Sequence, residues 1–432
     1  MIQTVRPIRS LSGTVALPGD KSISHRYAML AAIAEGNSEI RHYASSQDCH
    51  STLRCLRGLG VQVRESGETV TITGRGLRGL TAPTGPLDAG NSGTTIRLLS
   101  GILAGQSFET TLTGDDSLTR RPMGRVAAPL RLMGAIVNTH SGELPPISIR
   151  GGDLKALRYR LPVASAQVKS CVLLAGLYAD GPTAVYEAVP TRDHSEIALQ
   201  AFGAKVSQRD DWIELDPAPR LRGMSLEVPG DLSGAAFFLV AAALTPGSEI
   251  LLEKVGLNRR RRELLDYLQS AGLDIAVERE QTQSGEPRGD LLVRYGAKLV
   301  SGGLPPISGA LAASLIDEIP VLSILGSQVA GGLEISDARE LRVKESDRIG
   351  ALAANFRAMG VTVEEKPDGL TIPGRQCLHG GDIDSLGDHR IAMAFAVGGL
   401  FAQGETRIHR AECADVSFPG FWPALSKIAH EA

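Results

Sequence analysis

One pattern governs what this chain can become: it repeats itself six times. LPGDKSISHRYAMLAAIAEG from Leu17 is echoed by VPGDLSGAAFFLVAAALTPG from Val228, with Pro, Gly, Asp and Ser at the same offsets before an apolar run. Looser copies begin near Asn91 (NSGTTIRLLSGILAG), Ser165 (SAQVKSCVLLAGLYADG), Asp317 (DEIPVLSILGSQVAGG) and Asp388 (DHRIAMAFAVGGLFAQG). Each reads as polar residues, then a helix apolar nearly all round, then Gly. A helix with no polar face belongs inside a protein. In the first copy the helix is expected to end at Gly36.

A second helix follows, amphipathic rather than uniformly apolar. STLRCLRGLGVQV sets Leu53, Leu56 and Leu59 on one face, with Arg54 and Arg57 off it. Gly60, Gly134, Gly203, Gly272 and Gly360 close the successive second helices. Alternating segments such as VQVRESGETVTITG then read as a strand hairpin. The unit is βαβαββ, about 70 residues long. The sixth unit stops after its amphipathic helix, PALSKIAHEA, without a hairpin. The N-terminal Ile2–Leu17 reads as two strands turning at Leu11–Gly13 and is expected to complete it. Two domains follow: 20–229 with units one to three, and 1–19 plus 230–432 with units four to six. The chain crosses between them twice, at Gly19-Asp20 and Gly230-Asp231, as a hinge would require.

Aromatics make up only 4% of the chain while Gly numbers 49, so small side chains must do much of the packing. A net charge of −3 excludes a general nucleic-acid surface, which needs a basic excess. No apolar run approaches the ~20 residues of a membrane span. Five cysteines with no Cys-x-x-Cys, and no apolar signal core, suit free thiols in a reducing cytoplasm. The nine histidines form no His-x-x-x-His pair, so neither a metal nor another cofactor is expected.

Any anion site must therefore be local, and the starts of the inner helices are where one would form. Free backbone N–H groups and the helix dipole attract anions there. Lys21, Ser22 and Arg26 lie at the first start; Asn91, Ser92, Gly93, Thr94 and Arg97 at the second; Ser165, Gln167 and Lys169 at the third. Arg120 and Arg121 sit beside a proline on a loop before a helix, and Arg192, Asp193 and His194 are adjacent. In the C-terminal half, Asp317 and Glu318 interrupt an apolar stretch. A carboxylate there needs a cationic partner; a helix cap would account for only one of the two. Lys344 and Arg348 are like charges at i,i+4 within ELRVKESDRIG and repel, which favours an external anion between them. Asp388, His389 and Arg390 open the last inner helix.

Taken together, LPGDKSISHR, NSGTTIR, RRPMGR, SAQVKS, DEIPVL, RVKESDR and GDHRIAMAF resemble the EPSP synthase family (3-phosphoshikimate 1-carboxyvinyltransferases), in order and through both halves. The resemblance implies a two-domain inside-out α/β barrel, each domain three βαβαββ repeats around buried helices. It implies transfer of the enolpyruvyl group of phosphoenolpyruvate to the 5-hydroxyl of shikimate 3-phosphate, by addition and elimination, in the shikimate pathway. Shikimate 3-phosphate would be held by Lys21, Ser22, Arg26, Ser165, Ala166, Gln167, Arg192, Asp317 and Lys344. Phosphoenolpyruvate would meet Lys21, Gly93, Arg121, Gln167, Arg348 and Arg390. Asp317, Glu345, Lys21 and Lys344 would be catalytic. With Arg97 and Lys169 counted, nine cations would face two acids in one pocket and favour an open form until substrate anions arrive. A cytoplasmic monomer is expected, with no nucleic-acid or membrane partner.

Three positions qualify the match. Ala166 stands where one branch of the family has a second Ser, and Val416 where that branch has a Lys before Ser/Thr-Phe-Pro, which removes one phosphate-side cation. Gly93 is kept where herbicide-insensitive forms resembling that branch carry Ala, which implies sensitivity to glyphosate. The sister transferases acting on UDP-N-acetylglucosamine have a reactive Cys in the loop matching Gly114–Arg121, and none is present. A non-catalytic anion-binding homologue would keep the arginines and lose the acids, yet Asp317 and Glu345 are both in place.

Overall fold

The computed structural model describes residues 1–217 and 220–431. The six apolar runs form helices at Lys21–Ile33, Gly93–Ala104, Ala166–Gly176, Leu232–Leu244, Ile319–Gln328 and His389–Gly399. Every residue of Leu232–Leu244 is buried. Side chains such as Ala and Gly make this possible by letting helix backbones approach closely: a Cβ on Gly101 would fall 2.3 Å from the Cys171 carbonyl oxygen. The first inner helix stops at Ile33, because Ala34 is already extended and Glu35–Arg41 is a strand. Gly36 belongs to that strand rather than to the helix end.

The amphipathic second helices pack outside. The glycines after them, Gly60, Gly134, Gly203, Gly272 and Gly360, all have φ between +76° and +103°. Only glycine takes up that conformation without strain, so each helix is closed where the sequence pattern says.

The chain divides into two compact units. One is Met1–Pro18, Pro229–Gln281 and Pro287–Ala432; the other is Gly19–Val228 with Thr282–Glu286. Within the first four repeats a parallel strand pair is extended by an antiparallel hairpin; in the fifth the parallel partner is reduced to one bridge, Ile307 to Ile335, and the sixth has the parallel pair without a hairpin of its own. In the second repeat the order is Leu87–Asp88, Glu109–Thr113, Leu144–Arg150, Ile136–His140.

Two strands do not stay with the helix that follows them. Ser225–Glu227, which leads into the fourth inner helix, runs parallel to Glu35–Arg41 in the sheet of the first repeat. Ile8–Ala16, which leads into the first inner helix, runs parallel to Glu249–Gly256 in the sheet of the fourth. The N-terminal segment therefore serves two repeats. Ile2–Val5 pairs antiparallel with Thr406–His409 and stands in for the missing hairpin of the sixth repeat. Its break lies at Arg6-Pro7 rather than Leu11–Gly13, since Pro7 has no N–H to offer a ladder. The last helix is also shorter than PALSKIAHEA suggests. It ends at Ile428, and Ala429–Glu431 is a strand against Ile8–Ala16.

Candidate active site

In the unit containing Gly19–Val228, Asp20 caps the first inner helix by accepting from the Ile23 amide at 2.9 Å. That cap presents Lys21, Ser22 and Arg26 together. Arg26 is 4% exposed and donates to Ser195 Oγ (2.7 Å), Ser170 Oγ (2.9 Å) and the Ser22 carbonyl (2.9 Å). These hydrogen-bond partners are all neutral, so the guanidinium is oriented without a direct ion pair. Burial pulls its pKa down to about 10, opposed by Glu196 and Asp20 and assisted by Arg192. It remains a cation at neutral pH. Lys21 Nζ instead reaches Asp48 Oδ2 at 2.9 Å.

The second inner helix starts at Gly93, with Ser92 as its cap. Arg97 Nη1 donates to Gln167 Oε1 (2.6 Å), and Gln167 Nε2 donates to Thr94 Oγ1 (3.1 Å). Arg121 is 6% exposed and donates to Asn91 Oδ1 (2.8 Å) and Ser117 Oγ (3.1 Å). A Cβ on Gly93 would lie 3.0 Å from Arg97 Nη1 and 3.4 Å from Arg121 Nη1. The missing side chain thus leaves two guanidiniums beside a bare helix start. Ser165 caps the third inner helix through the Val168 amide, with Ala166 and Gln167 in its first turn.

Lys169 departs from expectation. It is fully buried, with its Nζ 2.9 Å from Glu187 Oε2 and 2.7 Å from Glu196 Oε1. A cation clamped by two carboxylates is not a ligand for substrate anions.

The other unit carries a charge cluster around Arg348. Asp347 caps the helix Arg348–Ala358 through the Gly350 amide (3.0 Å). Arg348 is 1% exposed and bonds Asp388 Oδ2 through Nε (2.8 Å) and Glu345 Oε2 through Nη2 (2.6 Å). Its pKa is raised despite the opposing effect of burial, by Asp388, Glu345 and Asp317. Lys344 Nζ and Arg348 Nη1 each lie 3.6 Å from Asp317 Oδ1. Asp317 of the chain itself thus lies between these like charges.

Neither Asp317 nor Glu318 caps the fifth inner helix. Glu318 accepts from Ser233 Oγ, and Ser233 Oγ accepts from Arg261 Nη2 at 2.6 Å. Arg390 follows the cap residue Asp388 and donates to the Ser233 carbonyl at 3.4 Å.

The expected excess of nine cations over two acids is thus much reduced. Asp48, Glu187, Glu196 and Asp388 pair with Lys21, Lys169 and Arg348. The sequence reading missed Asp48, Glu187, Glu196 and Arg261 as parts of these clusters. Arg261 had a visible cue, the run of four arginines at 259–262 just before a helix. The others had none, because long-range pairing leaves no local pattern.

The family model for EPSP synthase (3-phosphoshikimate 1-carboxyvinyltransferase) matches residues 5–425. The 3-phosphoshikimate 1-carboxyvinyltransferase of Solibacter usitatus is 52% identical over 99% of this chain and 100% of its own. That of Salinibacter ruber is 52% identical over the same shares. A solved EPSP synthase from Acinetobacter baumannii superimposes with a TM-score of 0.87 and 42% identity, covering 99% of this chain and 98% of that one. The fold is thus the inside-out α/β fold of that family. An arrangement of six buried helices, five of them capped by a side chain at their starts, is matched along its whole length, and the chain belongs to the EPSP synthase family, the 3-phosphoshikimate 1-carboxyvinyltransferases.

Proposed function

We propose the following division of labour for the reaction of this shikimate-pathway transferase. Arg26, Arg192, Ser22, Ser165, Ala166 and Gln167 hold shikimate 3-phosphate. Gly93, Arg121, Arg348 and Arg390 hold phosphoenolpyruvate, with Lys21 and Gln167 touching both substrates. The neutral hydrogen-bond set of Arg26 supports the first group, since an oriented guanidinium held in no direct ion pair suits a phosphate. The gap at Gly93 supports the second, because it lets a small anion reach the helix start beside Arg121.

The observation that carries the catalytic assignment is Asp317 set 3.6 Å from both Lys344 and Arg348. Asp317 takes the proton of the 5-hydroxyl as that oxygen bonds to C2 of phosphoenolpyruvate, while C3 gains a proton. Phosphate then leaves C2 and C3 gives up a proton, which restores the double bond. Glu345, hydrogen-bonded to Arg348, and Lys344 or Lys21 serve C3 and the departing phosphate. Every residue in these assignments comes from a single chain, so a monomer is sufficient.

The test is the pH dependence of phosphate release by Asp317→Asn and Glu345→Gln. Asp317→Asn is expected to lose turnover across the range, while Glu345→Gln loses one limb of the profile. Wild-type turnover by Asp317→Asn would overturn the assignment.

A further inference from the structure

The buried trio of Lys169, Glu187 and Glu196 has no place in the chemistry above. It is also a poor device for stability alone, since desolvating three charges costs more than packing apolar side chains of the same size. Its positions are informative. Glu187 directly follows the strand Thr183–Tyr186, and its amide donates to the Asp211 carbonyl at 3.0 Å. Glu196 lies in the first turn of the helix His194–Ala201. The residues between them, 188–195, form the segment that carries Arg192.

One ammonium therefore grips both ends of that segment, at 2.9 and 2.7 Å. It does so from the first turn of the helix capped by Ser165, two residues beyond Gln167. Within the segment, the Thr191 hydroxyl donates to the second oxygen of Glu187. Ser195 accepts from Arg26 Nε at 2.7 Å and meets Ser170 Oγ at 2.6 Å. The second oxygen of Glu196 is buried without a hydrogen bond, which leaves negative charge near Arg26, the group whose pKa Glu196 raises.

We infer that Lys169 is a positioning residue for shikimate 3-phosphate: by fastening Glu187 and Glu196 it sets the Thr191-Arg192 segment against Arg26 and the Ser165–Gln167 helix start. It touches no substrate and acts through Arg192. The inference rests on the reading of Arg192 as a ligand of that substrate.

Steady-state kinetics of the full-length enzyme test it, with thermal unfolding recorded for each variant. Thr191→Val cuts the segment's link to Glu187 and leaves the buried trio whole. It is expected to raise KM for shikimate 3-phosphate about fivefold, the scale of one modest hydrogen bond. KM for phosphoenolpyruvate, kcat and Tm should stay near wild type. Lys169→Met is expected to raise the same KM by more than tenfold, as loss of one partner of a buried ion pair implies. The Thr191→Val effect should vanish in an Arg192→Ala background, because a positioning effect needs the residue it positions.

Wild-type KM for shikimate 3-phosphate in Thr191→Val would overturn the inference, even if Lys169→Met does not fold. So would a Thr191→Val effect that persists undiminished without Arg192. Arg192→Ala alone separates the two levels. If it leaves that KM unchanged, the assignment of Arg192 fails and the inference falls with it. If it raises that KM while Thr191→Val does not, only the positioning role is lost.

Discussion

Adding one methyl group at the second inner helix should weaken binding while leaving stability almost unchanged. In Gly93→Ala the new carbon would sit 3.0 Å from Arg97 Nη1 and 3.4 Å from Arg121 Nη1. Non-bonded heavy atoms rest at roughly 3.5–4.0 Å, so Arg97 must withdraw by about 0.5 Å and Arg121 by a few tenths. Arg97 is fastened to Gln167 at 2.6 Å and Arg121 to Asn91 at 2.8 Å, so neither can move without straining a bond. A binding constellation tolerates displacements of only about 0.5 Å. Weakening one charge-assisted hydrogen bond costs about 1.5 kcal/mol, which is roughly tenfold in affinity. Stability should change little, because Ala in a helix gains about 0.5–1 kcal/mol over Gly, which offsets part of an overpacking cost of about 1 kcal/mol. Phosphate release measured against phosphoenolpyruvate, at saturating shikimate 3-phosphate, should show KM raised about tenfold. KM for shikimate 3-phosphate and Tm should hold. An unchanged KM for phosphoenolpyruvate would refute the reasoning, and an equal rise in both KM values would show general loosening instead.

The wild-type enzyme, which keeps Gly93, should be inhibited by glyphosate in competition with phosphoenolpyruvate; full activity at concentrations well above KM would contradict this. Arg348→Met takes the guanidinium away from the buried Asp388 and the half-buried Glu345, and chemical denaturation should register a loss of about 3–5 kcal/mol. His25 is buried, and burial, Lys21 and Arg26 all hold its pKa well below the ordinary value of 6.5. A depressed histidine favours the fold above its unfolded pKa, and that stability is lost as pH falls below it. Urea midpoints between pH 6.5 and 5 should therefore fall less steeply in His25→Gln, the difference reaching up to about 1.4 kcal/mol per pH unit. Of the five thiols, only Cys377 is exposed, while burial pushes Cys49, Cys55 and Cys171 up to about 12 and Cys413 up to about 11. Ellman titration of the native enzyme should find one fast thiol, and five after denaturation.

Five of the six helix starts were legible because capping is a local code: the polar residues Asp20, Ser92, Ser165, Asp231 and Asp388 that precede the apolar runs each cap the helix that follows. The closing glycines were equally legible, since φ near +90° excludes most other residues. The strand exchange was not. Ser225–Glu227 and Ile8–Ala16 pair with partners about 185 and 240 residues away, and strand pattern carries no information on its distant neighbour. Lys169 was misread for a related reason. Its offset in the repeat matches that of a site cation, but the acids that claim it, Glu187 and Glu196, come from a separate strand end and helix.

The pairing of Ile2–Val5 with Thr406–His409 dictates an order of events during synthesis. At 5–20 residues per second, the ribosome delivers the partner roughly 20–80 s after the first strand has emerged. Through that interval the leading strand has no ladder to join. The middle segment, Gly19–Val228, meanwhile holds nearly all of its own pairing partners, including the returning Ser225–Glu227. The newborn chain should thus mature from its centre outward, and a nascent-chain protease assay would find the interior resistant while both ends are still open to cutting.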